Sequence, residues 1–241
     1  MAIMPTSSAV IFGAGGIGKA LTERLVDRPE ISQVWSVSRR PPEFHHPKLV
    51  YRQMNPADEG ALITLVGELK DSGHALQLAI VTNGVLQDAI TAPEKSWKAL
   101  DPAGLAHVFA VNTILPAIIA KHILPVLSRE DRSVFAALSA RVGSIADNRL
   151  GGWYGYRASK AALNQIIHTL AIELARTHPK ALCVALHPGT VETALSEPFS
   201  PAGRARLTPK ASAEALLKVL AGLEAKDSGG FFGWDGQAIP F

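Results

Sequence analysis

The chain has 241 residues, of which 47% are hydrophobic and 19% charged, so its length and composition predict a globular α/β protein with a substantial core. Its net charge of +3 comes from scattered basic residues, which argues against nucleic acid as a partner. A single cysteine excludes a disulfide framework and a cysteine-based metal site. We expect no bound metal. We also expect no membrane-spanning segment, because no apolar run reaches the required length. A cytoplasmic enzyme is the expectation that remains.

Short apolar runs alternate with helical patterns along the chain. The first half predicts strands at residues 8–12, 33–38, 48–53 and 76–81, with helices ending near residue 27 and over 58–70. The second half predicts a long helix over 102–127, strands at 134–138, 182–186 and 231–232, a helix containing Tyr156 and a helix over 209–224. This alternation predicts a single domain over 1–241, a Rossmann-type, doubly wound, mostly parallel α/β sheet with helices on both faces.

A glycine-rich loop joins the first strand to the first helix. Gly13, Gly15 and Gly18 form a Gly-x-Gly-x-x-Gly pattern, with Gly16 and Ile17 inside it. Glycines at these places allow a tight turn and the close approach of a pyrophosphate to the helix N-terminus. The context favours dinucleotide binding over a plain strand-to-helix turn.

The end of the second strand predicts which dinucleotide binds. Ser38, Arg39 and Arg40 stand where this fold reads the adenosine ribose, and no carboxylate lies between Val34 and Pro42. A guanidinium is well shaped for bidentate contact with a 2′-phosphate. NADP(H) is therefore favoured over NAD(H), a solvated turn being the alternative role for the two arginines.

Tyr156 and Lys160 lie four residues apart in a predicted helix and therefore share one face. The pKa of a tyrosine is about 10, and a cation about 4 Å away at an effective dielectric constant of about 20 would lower it by roughly 3 units. Such a phenol could act as an acid or base near neutral pH. The alternative is a boundary aromatic beside a solvated lysine, and the remaining motifs decide between the two.

Taken together, the motifs resemble the short-chain dehydrogenase/reductase family over essentially the whole chain. Three further segments, residues 143–145, 152–153 and 235–241, resemble the branch that contains C-factor and sniffer-type carbonyl reductases. The residues that carry the family pattern are the glycine loop, Thr82, Asn83, Gly84, Asn112, Tyr156, Lys160, Pro188, Gly189, Thr190, Val191, Glu192 and Thr193.

The resemblance implies reversible hydride transfer between a nicotinamide and a carbonyl or secondary-alcohol carbon. Tyr156 would be the general acid in reduction, and Lys160 would lower its pKa and hold the nicotinamide ribose. The Asn112 backbone carbonyl would bind a relay water, which Pro116 supports because it has no N–H to occupy that carbonyl. A cap or a satisfied core asparagine is the alternative for Asn112.

The cofactor site that the resemblance implies extends over several further residues. Asn55 aligns with the family's adenine-contacting aspartate. The other implied cofactor contacts are Asn83, Gly84, Pro188, Gly189, Thr190, Val191 and Thr193.

Two departures from the family pattern concern the loop and the catalytic serine. The glycine loop is one residue short, and Phe12 replaces a threonine. After the fifth strand the family has two serines, whereas Ser139 is followed here by Ala140. Ser139 is the predicted polarising serine, and Ser144 is the alternative. These departures leave room for a nucleotide-sensing protein with little turnover. An epimerase or dehydratase on the same fold is a further alternative.

The resemblance implies a small carbonyl or alcohol substrate and a homo-oligomer, either dimer or tetramer. The helices carrying Asn112 and Tyr156 would pack across a two-fold axis. Residues 194–207 are expected to form a lid, and Trp153 and Tyr154 to line the pocket. The small apolar residues expected on the outer helix faces are Ala117, Ile118, Ala120, Ala161, Ala162 and Ile172.

Overall fold

The computed structural model describes residues 7–41, 44–194 and 206–241. The strands are β1 (Ser7–Phe12), β2 (Ile31–Ser38), β3 (Leu49–Gln53), β4 (Ala75–Val81), β5 (Ser133–Leu138), β6 (Ala181–His187) and β7 (Phe231–Gly233). The helices are α1 (Gly16–Val26), α2 (Glu59–Asp71), α3 (Pro102–Phe109), α4 (Leu115–Ile123), α5 (Tyr154–Leu174) and α6 (Pro209–Gly222).

All seven strands form one parallel sheet in the order β3-β2-β1-β4-β5-β6-β7. The chain winds outward from β1 to β3 and then crosses back to β4, so the carboxyl ends of β1 and β4 meet at the point where the direction of winding reverses. Open α/β sheets bind ligands at such a point. The predicted doubly wound Rossmann-type fold is confirmed.

The core lies on both faces of the sheet, which explains why the strands read as unbroken apolar runs. One buried cluster joins the sheet to α2, α4 and α5, and the other joins it to α1 and α6. Every residue of β1 and β5 is buried. The single cysteine, Cys183 on β6, is fully buried, and burial raises the pKa of its thiol to about 12.

The predicted helix over 102–127 is instead interrupted. A π-helical turn, Ala110–Ile114, separates α3 from α4, and a 3₁₀ turn follows at Leu124–Val126. Pro116 has no N–H to bond the Asn112 carbonyl, and the ladder shifts so that the Leu115 N–H bonds the carbonyl of Ala110.

The expectation that no apolar run is long enough to span a membrane was wrong on length. Pro102–Val126, at 25 residues, is long and apolar enough to cross a membrane by length and composition alone. Of its most apolar 18-residue stretch, 39% is buried inside the protein. Ile119 and Ile123 are fully buried in the core cluster with α2 and α5. A core helix passes the same test of length and composition.

Two further expectations concern boundaries. The helix predicted over 209–224 is α6, which ends two residues earlier, at Gly222. The proposed lid over 194–207 falls largely on residues 195–205, which lie outside the described part of the chain.

Candidate active site

A cavity of about 710 Å³ opens beyond the carboxyl ends of β5 and β6. Tyr156 lines it from α5, Ser139 and Ala140 from the end of β5, and Ile17 from α1. The segment after β6 closes the cavity on another side through Pro188, Gly189, Thr190, Val191 and Thr193. The structure thus brings the glycine loop, Ser139, Tyr156 and the segment after β6 to one cavity.

The start of α5 is held by a carboxylate from the loop after β4. Glu94 is buried, and its two carboxylate oxygens accept from the Gly155 N–H at 3.1 and 3.3 Å. Its backbone carbonyl accepts from the N–H of Trp153, which has a left-handed φ of 54°. Trp153 in turn packs edge-on against Tyr156, with ring centroids 6.2 Å apart. An acidic group at this helix terminus is favourable, and it fixes the turn that carries Tyr156.

The Lys160 ammonium makes its hydrogen bond at the end of β5. Its Nζ donates to the Leu138 carbonyl at 2.7 Å and lies 6.0 Å from the centroid of the Tyr156 ring. Burial lowers the pKa of Lys160 to about 7 and raises the pKa of Tyr156 to about 12. The expected lowering of the Tyr156 pKa is therefore wrong for this structure, because desolvation outweighs the nearby charge.

Asn112 is fully buried behind the cavity, with both ends of its amide satisfied. Its Oδ1 accepts from the Val85 N–H at 2.8 Å, and its Nδ2 donates to the Val85 carbonyl and to Ser159 Oγ. A Cβ placed on Gly84 would lie 3.5 Å from Asn112 Oδ1 and 3.6 Å from Lys160 Nζ, so Lys160 and Asn112 flank this glycine. The side chain ties the loop after β4 to α5.

The two candidate serines occupy different environments. Ser139 lines the cavity, and its Oγ donates to Asn164 Oδ1 at 2.6 Å. Ser144 is buried away from the cavity lining, where its Oγ accepts from the Asp147 N–H at 3.1 Å. The structure therefore brings Ser139, and not Ser144, to the same cavity as Tyr156.

Asn164 is a residue that sequence reasoning missed. Its Nδ2 is buried without a hydrogen-bond partner. Turning the amide by 180° would place that donor against Ser139 Oγ and release the Ser139 proton for a ligand. The available signal was spacing, because Asn164 follows Lys160 by four residues on the same helix.

The glycine loop is packed tightly on one side and open on the other. Gly13 has a φ of +103°, and a Cβ there would meet Thr82 Oγ1 at 2.5 Å, while a Cβ on Gly18 would meet the Gly13 carbonyl at 2.0 Å. Among the described residues, no group lies within 4 Å of the Cβ position of Gly15, and no side chain caps the α1 terminus there. A Cβ on Gly16 would meet Thr193 at 3.0 Å. Despite its short loop, the chain offers an open helix N-terminus that fits a phosphate.

The predicted adenosine end lies at the carboxyl end of β2. The Ser38 hydroxyl is nearly buried and donates to the Arg40 carbonyl, while the Arg39 carbonyl accepts from Gln53 Nε2 at 3.2 Å. Both arginines are exposed, and neither guanidinium has a hydrogen bond or ion pair within the described ranges. The guanidiniums remain available for an anion, but the Ser38 proton is already used.

The two asparagines predicted to contact the cofactor differ in whether their side-chain oxygen has a hydrogen-bond partner. Asn55 is exposed in the turn after β3, where its Oδ1 accepts from the Ala57 N–H at 3.2 Å. Asn83, after β4, has a buried Oδ1 without a partner. An orphaned acceptor beside an open phosphate cradle fits a dinucleotide, because a bound ligand would satisfy it.

Four arginines and one histidine complete the cavity wall, and sequence reasoning missed all of them. Arg141 pairs with Asp147 at 2.6 Å. Burial lowers the pKa of His187 to about 4, which leaves its imidazole neutral at pH 7. The other lining arginines are Arg149, Arg157 and Arg206.

Comparison with known proteins agrees with this geometry. C-signal of Myxococcus xanthus is 35% identical over 149 residues, covering 60% of this chain and 85% of that protein. The carbonyl reductase Sniffer of D. melanogaster matches with a TM-score of 0.86 and 24% identity, covering 98% of this chain and all of that one. NADPH-bound carbonyl reductase from chicken fatty liver matches with a TM-score of 0.85 and 25% identity, covering 99% and 95%.

The family match extends over most of the described residues. The short chain dehydrogenase model matches residues 7–203, which include the glycine loop, Asn112, Tyr156 and Lys160. The resemblance read from the sequence is thereby confirmed, and the chain belongs to the short-chain dehydrogenase family of oxidoreductases.

Proposed function

We propose that the chain is an NADP(H)-dependent oxidoreductase that interconverts a carbonyl compound and a secondary alcohol, in the manner of a carbonyl reductase. One observation carries the proposal: Tyr156 and Ser139 line one cavity, and the buried Lys160 and Asn112 bond to residues adjacent in sequence to Ser139 and on the Tyr156 helix, Leu138 and Ser159. A bound nicotinamide supplies or accepts the hydride, and the protein must manage the proton on the oxygen.

Tyr156 is the group assigned to that proton. With a pKa of about 12, its phenol is protonated at neutral pH, which is the form that donates to a carbonyl oxygen during reduction. Ser139 is assigned to polarise the same oxygen by a hydrogen bond, once Asn164 donates to it rather than accepting from it.

Lys160 and Asn112 are assigned to restore the proton on Tyr156. Because its pKa is about 7, Lys160 can hold or release a proton near neutral pH. The Asn112 backbone carbonyl has no i+4 partner, because residue 116 is proline, so it can hold a water behind Lys160. These two groups support the proposed route for a proton to the phenol.

The cofactor residues fall into several groups along the dinucleotide. We assign the pyrophosphate to the loop of Gly13, Gly15, Gly16, Ile17 and Gly18, and the 2′-phosphate to Arg39 beside Ser38. The NADPH in the chicken carbonyl reductase structure supports this choice of nucleotide. The remaining assigned contacts are Asn55 on the adenosine side, Asn83 and Gly84 in the loop after β4, and Tyr156, Lys160, Pro188, Gly189, Thr190, Val191 and Thr193 on the nicotinamide side.

The test is a panel of aldehydes and ketones assayed with NADPH and NADH side by side. We expect oxidation of NADPH by at least one carbonyl compound, with a weaker response to NADH. Tight NADPH binding without turnover on the whole panel would instead favour the nucleotide-sensing alternative. The Ser139 proton donated to Asn164 is a feature of the structure that favours that alternative.

We also propose that the enzyme acts as a homo-oligomer through the outer faces of α4 and α5. Ile114 and Ile172 are each 55% exposed, which leaves apolar area uncovered. Ala120, which was expected on this surface, is fully buried in the core. A light-scattering mass of one subunit at micromolar concentration would contradict the oligomer.

A further inference from the structure

We propose that the substrate of this oxidoreductase carries a carboxylate as well as the reacting carbonyl, and that Arg149 and Arg157 bind the carboxylate. This inference rests on the proposed function and names its substrate class. It comes from the charges in the cavity wall, which no part of the proposed hydride transfer uses.

Arg157 is a partly buried cation without a carboxylate partner in the described ranges. Its guanidinium donates to the backbone carbonyls of Gly152 at 2.9 Å, Val142 at 3.2 Å and Gly151 at 3.2 Å. Burial lowers its pKa from the ordinary value, so the charge is held there at a cost. Three of its five N–H donors are used, which leaves two for an anion in the cavity.

Arg149 adds a second charge on the same wall. Within the described residues its hydrogen bond runs to the Asn148 carbonyl at 3.1 Å and it forms no ion pair, although Asp147, which is paired with Arg141, also interacts with it electrostatically. Arg141, in contrast, is neutralised by Asp147. Arg157 therefore holds a fixed donor, and Arg149 supplies an adaptable one beside it.

The balance of charge in the described wall is strongly positive. Four arginines line the cavity, whereas Asp147 is the single carboxylate among the described lining residues, and His187 is neutral. A cleft lined by one sign of charge concentrates counter-ions of the other sign and raises their rate of association. The field therefore favours an anionic substrate over a neutral one.

The two arginines lie apart from the groups assigned to the cofactor phosphates. Arg149 and Arg157 belong to the segment that joins β5 to α5 and to the first turn of α5. The pyrophosphate cradle is the β1–α1 loop, and the 2′-phosphate is assigned to the end of β2. Neither arginine is therefore among the groups assigned to the cofactor phosphates.

Apolar side chains in the same wall define the rest of the substrate. Leu86, Val142, Leu150 and Trp153 line the cavity, and Leu150 is 92% exposed. Such a surface suits a hydrocarbon or aromatic body between the carbonyl and the carboxylate. An aryl keto acid combines these three features.

Pairs of keto acids and their methyl esters test the inference, because each pair shares the reacting carbonyl and differs in charge. We would measure NADPH-dependent reduction of benzoylformate, 3-benzoylpropionate and 4-benzoylbutyrate against their methyl esters. For at least one chain length, kcat/KM of the acid should exceed that of its ester by about tenfold to a hundredfold, the scale of a charge-assisted hydrogen bond. The preference should weaken as salt is raised.

The variants are chosen so that folding and charge are separated. Arg149→Gln should reduce the acid-to-ester ratio by about tenfold, and Arg157→Lys should reduce it partially, because lysine keeps the charge and loses the planar fork. Arg176→Gln removes the same charge from an exposed residue outside the cavity lining and should leave the ratio unchanged.

Failure of the substrate class is distinguishable from failure of the proposed function. Reduction of the esters as efficiently as the acids, or an unchanged ratio in Arg149→Gln, would overturn the carboxylate site and leave the reductase standing. If no carbonyl is reduced, calorimetry on the NADP⁺ complex compares 3-phenylpropionate with 3-phenylpropanamide. Binding of the acid alone, lost in Arg149→Gln, would sustain the anion site, and equal or absent binding would overturn it.

Discussion

The proposed nucleotide end and the proposed catalytic end of the site are built in opposite ways. At the end of β2, Arg39 and Arg40 are exposed side chains whose guanidiniums make no hydrogen bond or ion pair in the described ranges. Between β5 and α5, Asn112, Ser139 and Lys160 are each no more than 3% exposed and are tied to neighbours by hydrogen bonds. We therefore expect nucleotide choice to change by surface substitution, whereas the residues proposed for catalysis are part of the core.

The largest expected effect breaks the catalytic end directly. Tyr156→Phe removes the proposed proton donor and little surface, so turnover should fall by about 10²- to 10⁴-fold. Affinity for NADPH, measured by fluorescence titration, should change little. A variant that keeps more than about a tenth of the wild-type rate would show that another group supplies the proton.

The second prediction separates the two serines within that buried end. Ser139→Ala should lower kcat by roughly 100- to 1,000-fold, the scale of one lost polarising donor. Ser144→Ala is the matched control, because Ser144 is equally buried and lies outside the cavity lining. The assignment to Ser139 would fail if both variants turned over at the wild-type rate, or if only Ser144→Ala were slow.

The third prediction concerns the energetic cost of burying Lys160. Its folded-state pKa of about 7 lies below its ordinary value of 10.5, so between these values the unfolded chain binds a proton that the folded chain lacks. Stability from this group therefore rises with pH across that window, by about 1.4 kcal/mol per pH unit.

Lys160→Met removes that dependence. Measured by urea unfolding, its stability relative to wild type should fall by about 2 to 3 kcal/mol between pH 7.5 and pH 9.5. Lys210→Met, at an exposed position, is the control and should show no such trend. Parallel pH profiles for wild type and Lys160→Met would mean that the ammonium is solvated.

The smallest expected effect is at the exposed nucleotide end. Arg39→Asp should reverse the preference for NADPH over NADH, a change of roughly 2 kcal/mol if one charge-assisted contact is lost. The free energy of unfolding should be nearly unchanged, because the side chain is exposed. Equal use of both nucleotides by the wild type, or an unaltered preference in the variant, would contradict the role of Arg39.

The same contrast explains what could be predicted from the sequence. Unbroken apolar runs mark strands covered on both faces, and the glycine loop and the Tyr156–Lys160 spacing depend on local geometry, so all three were readable. The direction of the Tyr156 pKa was not, because it depends on burial by elements distant along the chain. The Ser139–Asn164 bond and the unpaired Arg149 and Arg157 depend equally on three-dimensional placement.

The irregularity in the long helix was only partly predictable from the sequence. Pro116 predicted a free carbonyl at Asn112, which is a local consequence of its missing N–H. The form of the π turn depends on how the helical hydrogen bonds resume, with the Leu115 N–H bonding the Ala110 carbonyl. Local chemistry therefore located the irregularity without predicting its form.

The position of Cys183 gives the molecule a chemical reporter of its own opening. This single cysteine lies within β6, paired on both sides by β5 and β7, and its thiol is fully buried with a pKa of about 12. Its side chain belongs to the core cluster that α5 covers, so a thiolate can react with an alkylating reagent only after α5 and this core face move apart. The rate of alkylation therefore counts openings of the helix that carries Tyr156 away from the sheet, with no engineered label and no second thiol to correct for.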